Sequence, residues 1–371
     1  MKKTALQEAE LLEKVKKIAR THIAPQRQAL ISGAEKPSDI WAEFCKSGLA
    51  GLTVPTRLGG LGADYKTLSA ASYHLNKIGG VPGLTMMFNS HWIFAKLQIE
   101  GNAPLAMQEW LMPLLATGDA VLSVAISEPG VGAHPKRMTT TATRSGDQYI
   151  LNGEKAFLTN GPLANHFIVL AITGEAEGRR AFSAFLVPAD TAGATKTSGI
   201  TMDFLHPCPH GGLELKDCAI PASHLLGEEG KAFEAISLTM RAIEDAVGAA
   251  GIVGSMECLL KDLISNTKQV DSGQVGSLSV QLKALKAMTE TLAALADQTA
   301  ADIDPIFELY LGFRQHCQTS VECLENIRKS ASLDDYPHIH LLARDIFKFH
   351  GIARTAHAAR LVKIGKARFT P

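Results

Sequence analysis

The chain lacks a net charge: 37 Lys and Arg are matched by 37 Asp and Glu over 371 residues. No overall field therefore steers it toward nucleic acid or an anionic membrane. Long apolar runs are also missing, and no window approaches the roughly eighteen consecutive apolar residues of a membrane helix. Glu8, Glu10 and Glu13 fall where Met1-Lys2-Lys3-Thr4-Ala5 would have to lead into the uninterrupted apolar stretch of a secretory signal. Cysteine is scattered, at positions 45, 208, 218, 258, 317 and 323, which argues against a disulfide scaffold and suits a reducing cytoplasm. Internal repeats and low-complexity tracts are absent. What remains is a globular chain, 46% hydrophobic and long enough for one large domain or two to three packed modules.

Its patterning changes twice. Leu11, Leu12, Val15, Ile18 and Ala19 follow helical spacing, with Thr4 and Gln7 as a capping box, and helices continue to about residue 115, one of them capped by Ser38. From about 116 the segments Thr139 to Thr143, Gln148 to Leu158, His166 to Ile172 and Ala181 to Val187 are short, β-branched or apolar, and separated by Gly, Asp and Pro. After Pro221, helical stretches run from Gly230 to about Ser265, 276 to 302, 305 to 330 and 336 to 362, with Thr267 to Ser277 as a loop between helices. The expectation is an α+β protein: an N-terminal helical domain over 1–115, a small β-barrel or sandwich over 116–225, and a C-terminal helical bundle over 226–371.

One central stretch carries more information than any other. Ser127-Glu128-Pro129-Gly130-Val131-Gly132 leads through a polar alternating segment into Leu151-Asn152-Gly153-Glu154-Lys155-Ala156-Phe157-Leu158-Thr159-Asn160-Gly161. Turn glycines let a backbone approach a flat ligand, and Ser127 and Thr159 offer donors to the edge of a heterocycle. Gly130-Val131-Gly132 also begins like a dinucleotide fingerprint. Pro135 stands where the third glycine belongs, however, and no βαβ unit can be drawn around it.

Together with Gly48-Leu49-Ala50-Gly51-Leu52, Gly59-Gly60-Leu61-Gly62, and Gly211-Gly212-Leu213-Glu214-Leu215 followed by Leu225-Leu226-Gly227-Glu228, this stretch resembles acyl-CoA dehydrogenases over nearly the whole chain. The resemblance implies FAD as cofactor, an acyl-CoA thioester as substrate, and electron-transfer flavoprotein as acceptor. It also implies a homodimer or homotetramer, to which the scattered cysteines and the lack of long apolar runs add the expectation of a cytoplasmic chain with no membrane insertion. Ser127 and Thr159 match positions that hydrogen-bond the flavin ring, Phe157 matches the aromatic lying against it, and Val124 falls in the same cofactor-contacting region. Taken alone, Phe157 reads as a core residue. Ala133-His134 departs from the family's Ser-Asp pair.

Removing hydrogen across the α,β carbons of a thioester needs a base for a weakly acidic proton, and burial can raise a carboxylate's pKa to suit. The family places a glutamate either in a C-terminal Glu-Gly segment or on the first long helix after the β module. The C-terminal segment here reads Phe349-His350-Gly351-Ile352, and no carboxylate follows Asp345. Glu244 lies ten residues before Gly254, the spacing the resemblance implies for the second position, and Gly248 and Gly251 share its helical face as a side-chain-free trough. Asp245 points about 100° away and can pair with Arg241 at i,i+4, leaving Glu244 free. A solvated helical Glu paired with Arg241 is the plainer alternative, and His350 is the fallback base.

Other motifs read more weakly. The family's Arg-x-x-Phe-Gly stretch is replaced by Lys268-Gln269-Val270-Asp271, and no glycine lies between Gly312 and Gly351 to form a second FAD-gripping turn. Gln281 is a further cofactor-contact candidate from the next helix. His206-Pro207-Cys208-Pro209-His210 holds three ligand types in a stiff loop without a second pair, which favours a structural turn over a metal site. Six Lys or Arg and no acids occupy the last 26 residues, as suits a helix C-terminus, with a CoA phosphate or an acidic partner as the other use. Two further functional readings stay open: a flavin-dependent monooxygenase on the same fold, and a catalytically degenerate binding or assembly subunit.

Overall fold

A computed structural model describes residues 5–369 apart from 177, 200–201, 267–270, 299–301, 331–332 and 334–335. The first segment is helical: α1 (Ala5–Ile18), α2 (Arg27–Ser32), α3 (Ser38–Lys46), α4 (Tyr65–Gly79), α5 (Pro82–Ile93) and α6 (Leu105–Thr117). Leu11, Val15 and Ile18 are the buried stripe of α1, as their spacing requires. The expected Thr4 cap falls outside the described residues, and Ser38 is the first helical residue of α3 rather than its cap. Two carboxylates serve the start of α4. Asp64 accepts from Thr67 N at 2.9 Å, and Asp297, from the far end of the chain, accepts from Tyr65 N and Lys66 N at 2.7 and 3.1 Å. Anionic oxygens on these otherwise unpaired donors also complement the helix dipole.

The second segment is one mixed sheet of β1 (Leu122–Ala125), β2 (Thr141–Ser145), β3 (Gln148–Thr159), β4 (His166–Ala176), β5 (Arg179–Pro188), β6 (Ala194–Thr197), β7 (His210–Pro221) and β8 (Leu225–Leu226). Its order is β6-β7-β3-β2-β4-β5-β8, and β1 pairs in parallel with β4 in the register Val124 to Ile168. The sheet folds over itself, as a sandwich does. Tyr149 on β3 and Phe185 on β5 lie with ring centroids 4.8 Å apart, within an inner core that includes Leu151, Phe167, Val169, Leu213 and Ile220. Alternation then sends Ile168 and Leu170 of β4 to the opposite face, where they join the helical core.

The third segment is α7 (Thr239–Ser265), α8 (Ser272–Gln298), α9 (Asp304–Lys329), α10 (Pro337–Gly351) and α11 (Arg354–Ala367). The single helix expected over 336–362 is two, because Ile352 is extended and Ala353 turns left-handed at φ 57°. The expected loop is shorter too: α8 already begins at Ser272, where Asp271 Oδ1 accepts from Gln274 N at 2.7 Å. The first and third segments share one continuous hydrophobic core. At its centre α7 packs on α4 so closely that a Cβ at Gly254 would lie 2.4 Å from the Tyr73 carbonyl oxygen.

Candidate active site

Glu244 occupies the second turn of α7. With Arg241, Asp245, Gly248, Gly251, Ile252 and Ser255 it forms the α7 wall of a cavity of about 130 Å³. These positions recur at helical spacing, so a single helix presents carboxylate and trough together. The opposite walls are Asn76 of α4, Thr85, Met86, Asn89, Ser90 and Ile93 of α5, Tyr310 and Arg314 of α9, and Asp345, Ile346 and Phe349 of α10. The trough is less uniform than the spacing implied. No atom lies within 4 Å of a Cβ built on Gly248, whereas one on Gly251 would meet Asn76 Nδ2 at 3.0 Å. Gly251 thus admits a neighbouring side chain, whose Nδ2 donates to its carbonyl at 2.9 Å, and Gly248 opens to the cavity.

Glu244 is half-buried and makes no hydrogen bond or ion pair among the described residues. Burial pushes its carboxyl up to about 7 against the pull of Arg241, with Asp245 adding to the rise. The Arg241 guanidinium is committed elsewhere. Its Nη2 lies 3.0 Å from Asp245 Oδ1 and its Nε donates to Asp245 Oδ2 at 3.2 Å, as the i,i+4 spacing anticipated. The plainer reading of Glu244, a surface charge paired with Arg241, does not describe this geometry. His350 is buried and outside the cavity wall, and burial lowers its pKa to about 4. Its carbonyl accepts from Arg314.

A second constellation lies where β1 and β3 end. Ala156 N donates to the Ser127 carbonyl at 2.8 Å, Ser123 Oγ donates to the Thr159 carbonyl at 2.7 Å, and Val124 is buried on β1 between them. The β3–β7 register slips between Lys155 and Leu158, and within this bulge Phe157 is left-handed at φ 60° with 44% of its surface exposed. A bulky residue held in that backbone region costs of order 1–3 kcal/mol and turns its ring away from the sheet, as residues at ligand sites do. The bulge is anchored from below. Lys155, fully buried, donates from Nζ to Glu128 Oε1 and to the Ile126 carbonyl, both at 3.0 Å. Thr139 and Thr140 each give Glu128 a backbone N–H and a hydroxyl. Burial alone would raise the Glu128 carboxyl; Lys155 and these four donors outweigh it and hold it at about 2.

The two constellations meet through α5. Asn160, next to Thr159, donates from Nδ2 to the Met87 carbonyl at 3.0 Å, and Met86 and Asn89 on either side line the Glu244 cavity. His210 of the His-Pro-Cys-Pro-His loop belongs here as well. Its Nε2 lies 3.3 Å from Thr159 Oγ1 and its Nδ1 lies 3.1 Å from the Cys208 carbonyl. Among the described residues no three His, Cys, Asp or Glu side chains cluster to hold a metal. Gln281 joins neither group, because its Oε1 accepts from Ser320 Oγ at 3.0 Å between α8 and α9. Nothing in the sequence pattern marked Asn76, Asn89, Thr85 or Asp345 as cavity residues. Tyr310 and Arg314, one turn apart on α9, are the pair that helical spacing could have flagged.

Two helical segments that share one core around a carboxylate-bearing cavity, with a folded sheet between them in the chain, make an α+β architecture. Residues 6–119 match the acyl-CoA dehydrogenase N-terminal domain and residues 123–218 the acyl-CoA dehydrogenase middle domain. An acyl-CoA dehydrogenase of Bacillus subtilis is 30% identical over 255 residues, 69% of this chain and 66% of that protein. The mitochondrial 2-methylacyl-CoA dehydrogenase of Solanum tuberosum is 28% identical over 375 residues, 96% of this chain and 89% of that protein. A solved glutaryl-CoA dehydrogenase of Mycobacterium smegmatis in complex with FADH2 superposes with a TM-score of 0.82 at 22% identity, covering 98% of this chain and 95% of that one. The chain belongs to the acyl-CoA dehydrogenase family, a family of FAD-dependent oxidoreductases.

The residues present fit the flavin end of that cofactor. Phe157 stands out of the sheet, and no atom lies within 4 Å of a Cβ built on Gly130 or Gly132. At the diphosphate end the match is thinner. Residues 268–270 fall outside the described set, and Asp271, the last of the replacement stretch, caps α8.

Proposed function

We propose that this protein oxidises an acyl thioester of coenzyme A between its α and β carbons, with Glu244 as the base. The observation that carries the proposal is an unpaired carboxylate, raised to about 7, facing a cavity that Gly248 leaves open. A base poised near the working pH is deprotonated often enough to act and basic enough to take a weakly acidic proton. FAD, when bound, supplies the acceptor for the two electrons and the β hydrogen that leave as hydride. The chain itself holds the acyl group in the trough, keeps water from Glu244 and receives the α proton on its carboxylate. Ser127, Thr159, Phe157 and Val124 are the residues that would hold the flavin ring, and electron-transfer flavoprotein is the acceptor that fits the chemistry. A homodimer or homotetramer is the assembly we expect.

The test is anaerobic mixing of the flavin-loaded protein with acyl-CoA thioesters of several chain lengths. Bleaching of the flavin absorbance, with one enoyl-CoA formed per flavin, is the expected result; a stable spectrum across the series contradicts the proposal. A second reading, a binding or assembly subunit without turnover, is favoured by the absence of glycine between Gly312 and Gly351. Protein that neither retains nor takes up flavin would support it.

A further inference from the structure

Asp245 is a carboxylate with no place in the reaction as described, yet it is 5% exposed and adjoins the base. Both its oxygens are engaged by Arg241 across one helical turn, at 3.0 and 3.2 Å. His357 of α11 stands behind it, with Nε2 at 3.9 Å from Asp245 Oδ2, and the His357 ring meets the Tyr310 ring edge-on at 5.7 Å. Arg241 lies three residues before Glu244 and four before Asp245, so one guanidinium can reach either carboxylate. The structure has it on Asp245.

We propose that Asp245 is a positioning residue: by holding Arg241 it keeps that cation off Glu244 and leaves Glu244 free to take up a proton. The inference rests on the reading of Glu244 as base for its catalytic consequence, but its electrostatics stand apart from that reading. A planar guanidinium held at two points by one carboxylate is fixed in position and orientation, so it acts on Glu244 only through space. Without Asp245 the same half-buried cation would have Glu244 as its nearest carboxylate on the helix, and their attraction in a partly desolvated site draws the two together. The other ionisable groups around the site do not take over this role. Tyr310 and Arg314 face it from α9, with Arg314 donating to the His350 carbonyl and lying over the Tyr310 ring. Asp345 faces it from α10 and is held by Arg344 at 2.8 Å. On α11, Arg360 lies over the Phe307 ring and feels Asp245 beside His357. The cavity residues contributed by α4 and α5 carry no charge.

Two substitutions with opposite expected signs test the proposal in the flavin-loaded protein. The readout is the titration of the Glu244 carboxyl 13C resonance, assigned by its loss in Glu244→Gln. Asp245→Asn releases Arg241 and is expected to move the midpoint down from about 7 by roughly 1–3 pH units. Arg241→Gln removes the cation but leaves the Asp245 charge, and is expected to move it up. The acid limb of kcat/KM should follow in both, and Arg241→Gln in the Asp245→Asn background should undo the downward shift. Midpoints that stay put, or move the same way in both variants, overturn the proposal. If Asp245→Asn does not fold, the upward shift in Arg241→Gln decides alone, and its absence is the overturning result. Should the resonance shift as stated while the acid limb does not, the positioning role of Asp245 stands and the base role of Glu244 fails.

Discussion

Phe157 is a bulky residue held where the backbone favours glycine. Its φ of 60° is a region in which Gly would sit freely, and at 44% exposure its ring contributes less burial than a core aromatic. Replacing it by Gly relieves the backbone, while replacing it by Ala keeps the strain and loses the ring. Thermal unfolding of the flavin-free protein should therefore rank Phe157→Gly at least as stable as Phe157→Ala, by about 1 kcal/mol in favour of Gly. Both variants should bind FAD more weakly than the parent, by titration of flavin fluorescence. Residue type alone did not reveal this. Phe157 in a strand reads as core, and only the family resemblance pointed away from that; the bulge that exposes its ring lies in the pairing register with β7. The resemblance singled out Glu244, and helical spacing then fixed which neighbours share its face. Spacing could not show that Gln281 meets Ser320, which lies 39 residues away on another helix.

At the scale of an element, α7 does two jobs with its glycines. Gly254 is where α4 crosses, with the Tyr73 carbonyl oxygen 2.4 Å from any added Cβ, while Gly248 faces open space. Their variants should separate cleanly. Gly254→Ala forces the helices apart, with a cost of about 1–3 kcal/mol expected from overpacking. Gly248→Ala is expected to gain up to about 1 kcal/mol from helix propensity. A larger side chain, as in Gly248→Leu, should fold normally but raise KM for longer acyl chains more than for short ones. Chemical denaturation and a chain-length series measure the two effects. Spacing put Gly248 and Gly251 on one face; it could not say which glycine meets a neighbour and which meets a cavity, because that depends on α4. The unforeseen break between α10 and α11 has the same origin, a local backbone turn at Ile352 and Ala353 inside an unbroken apolar pattern.

For the whole molecule, the order helix, sheet, helix was legible because period and composition change at both junctions. Invisible in that order is that the first and third segments are one body, sharing a core and joined by Asp297 on the start of α4. No helix among the described residues is long and apolar enough to cross a membrane. Beside the sheet, Glu128 and Lys155 form the most buried ion pair among the described residues. Because the folded Glu128 sits near 2 against an ordinary value of 4.5, its contribution to stability is complete above about 4.5 and is lost as pH falls toward 2. Glu128→Gln strands a buried ammonium and should cost about 3–5 kcal/mol at neutral pH. The gap from the parent should narrow as pH drops through that window, as followed by urea unfolding.

All of these effects frame one chemical claim, that Glu244 takes the α proton. Its most direct test is the rate of anaerobic flavin bleaching by an acyl-CoA in Glu244→Gln, in protein shown to carry flavin in the same proportion as the parent. The account predicts an intact flavin spectrum and a bleaching rate lower by about 10²–10⁴-fold. Bleaching within a few-fold of the parent rate would contradict it.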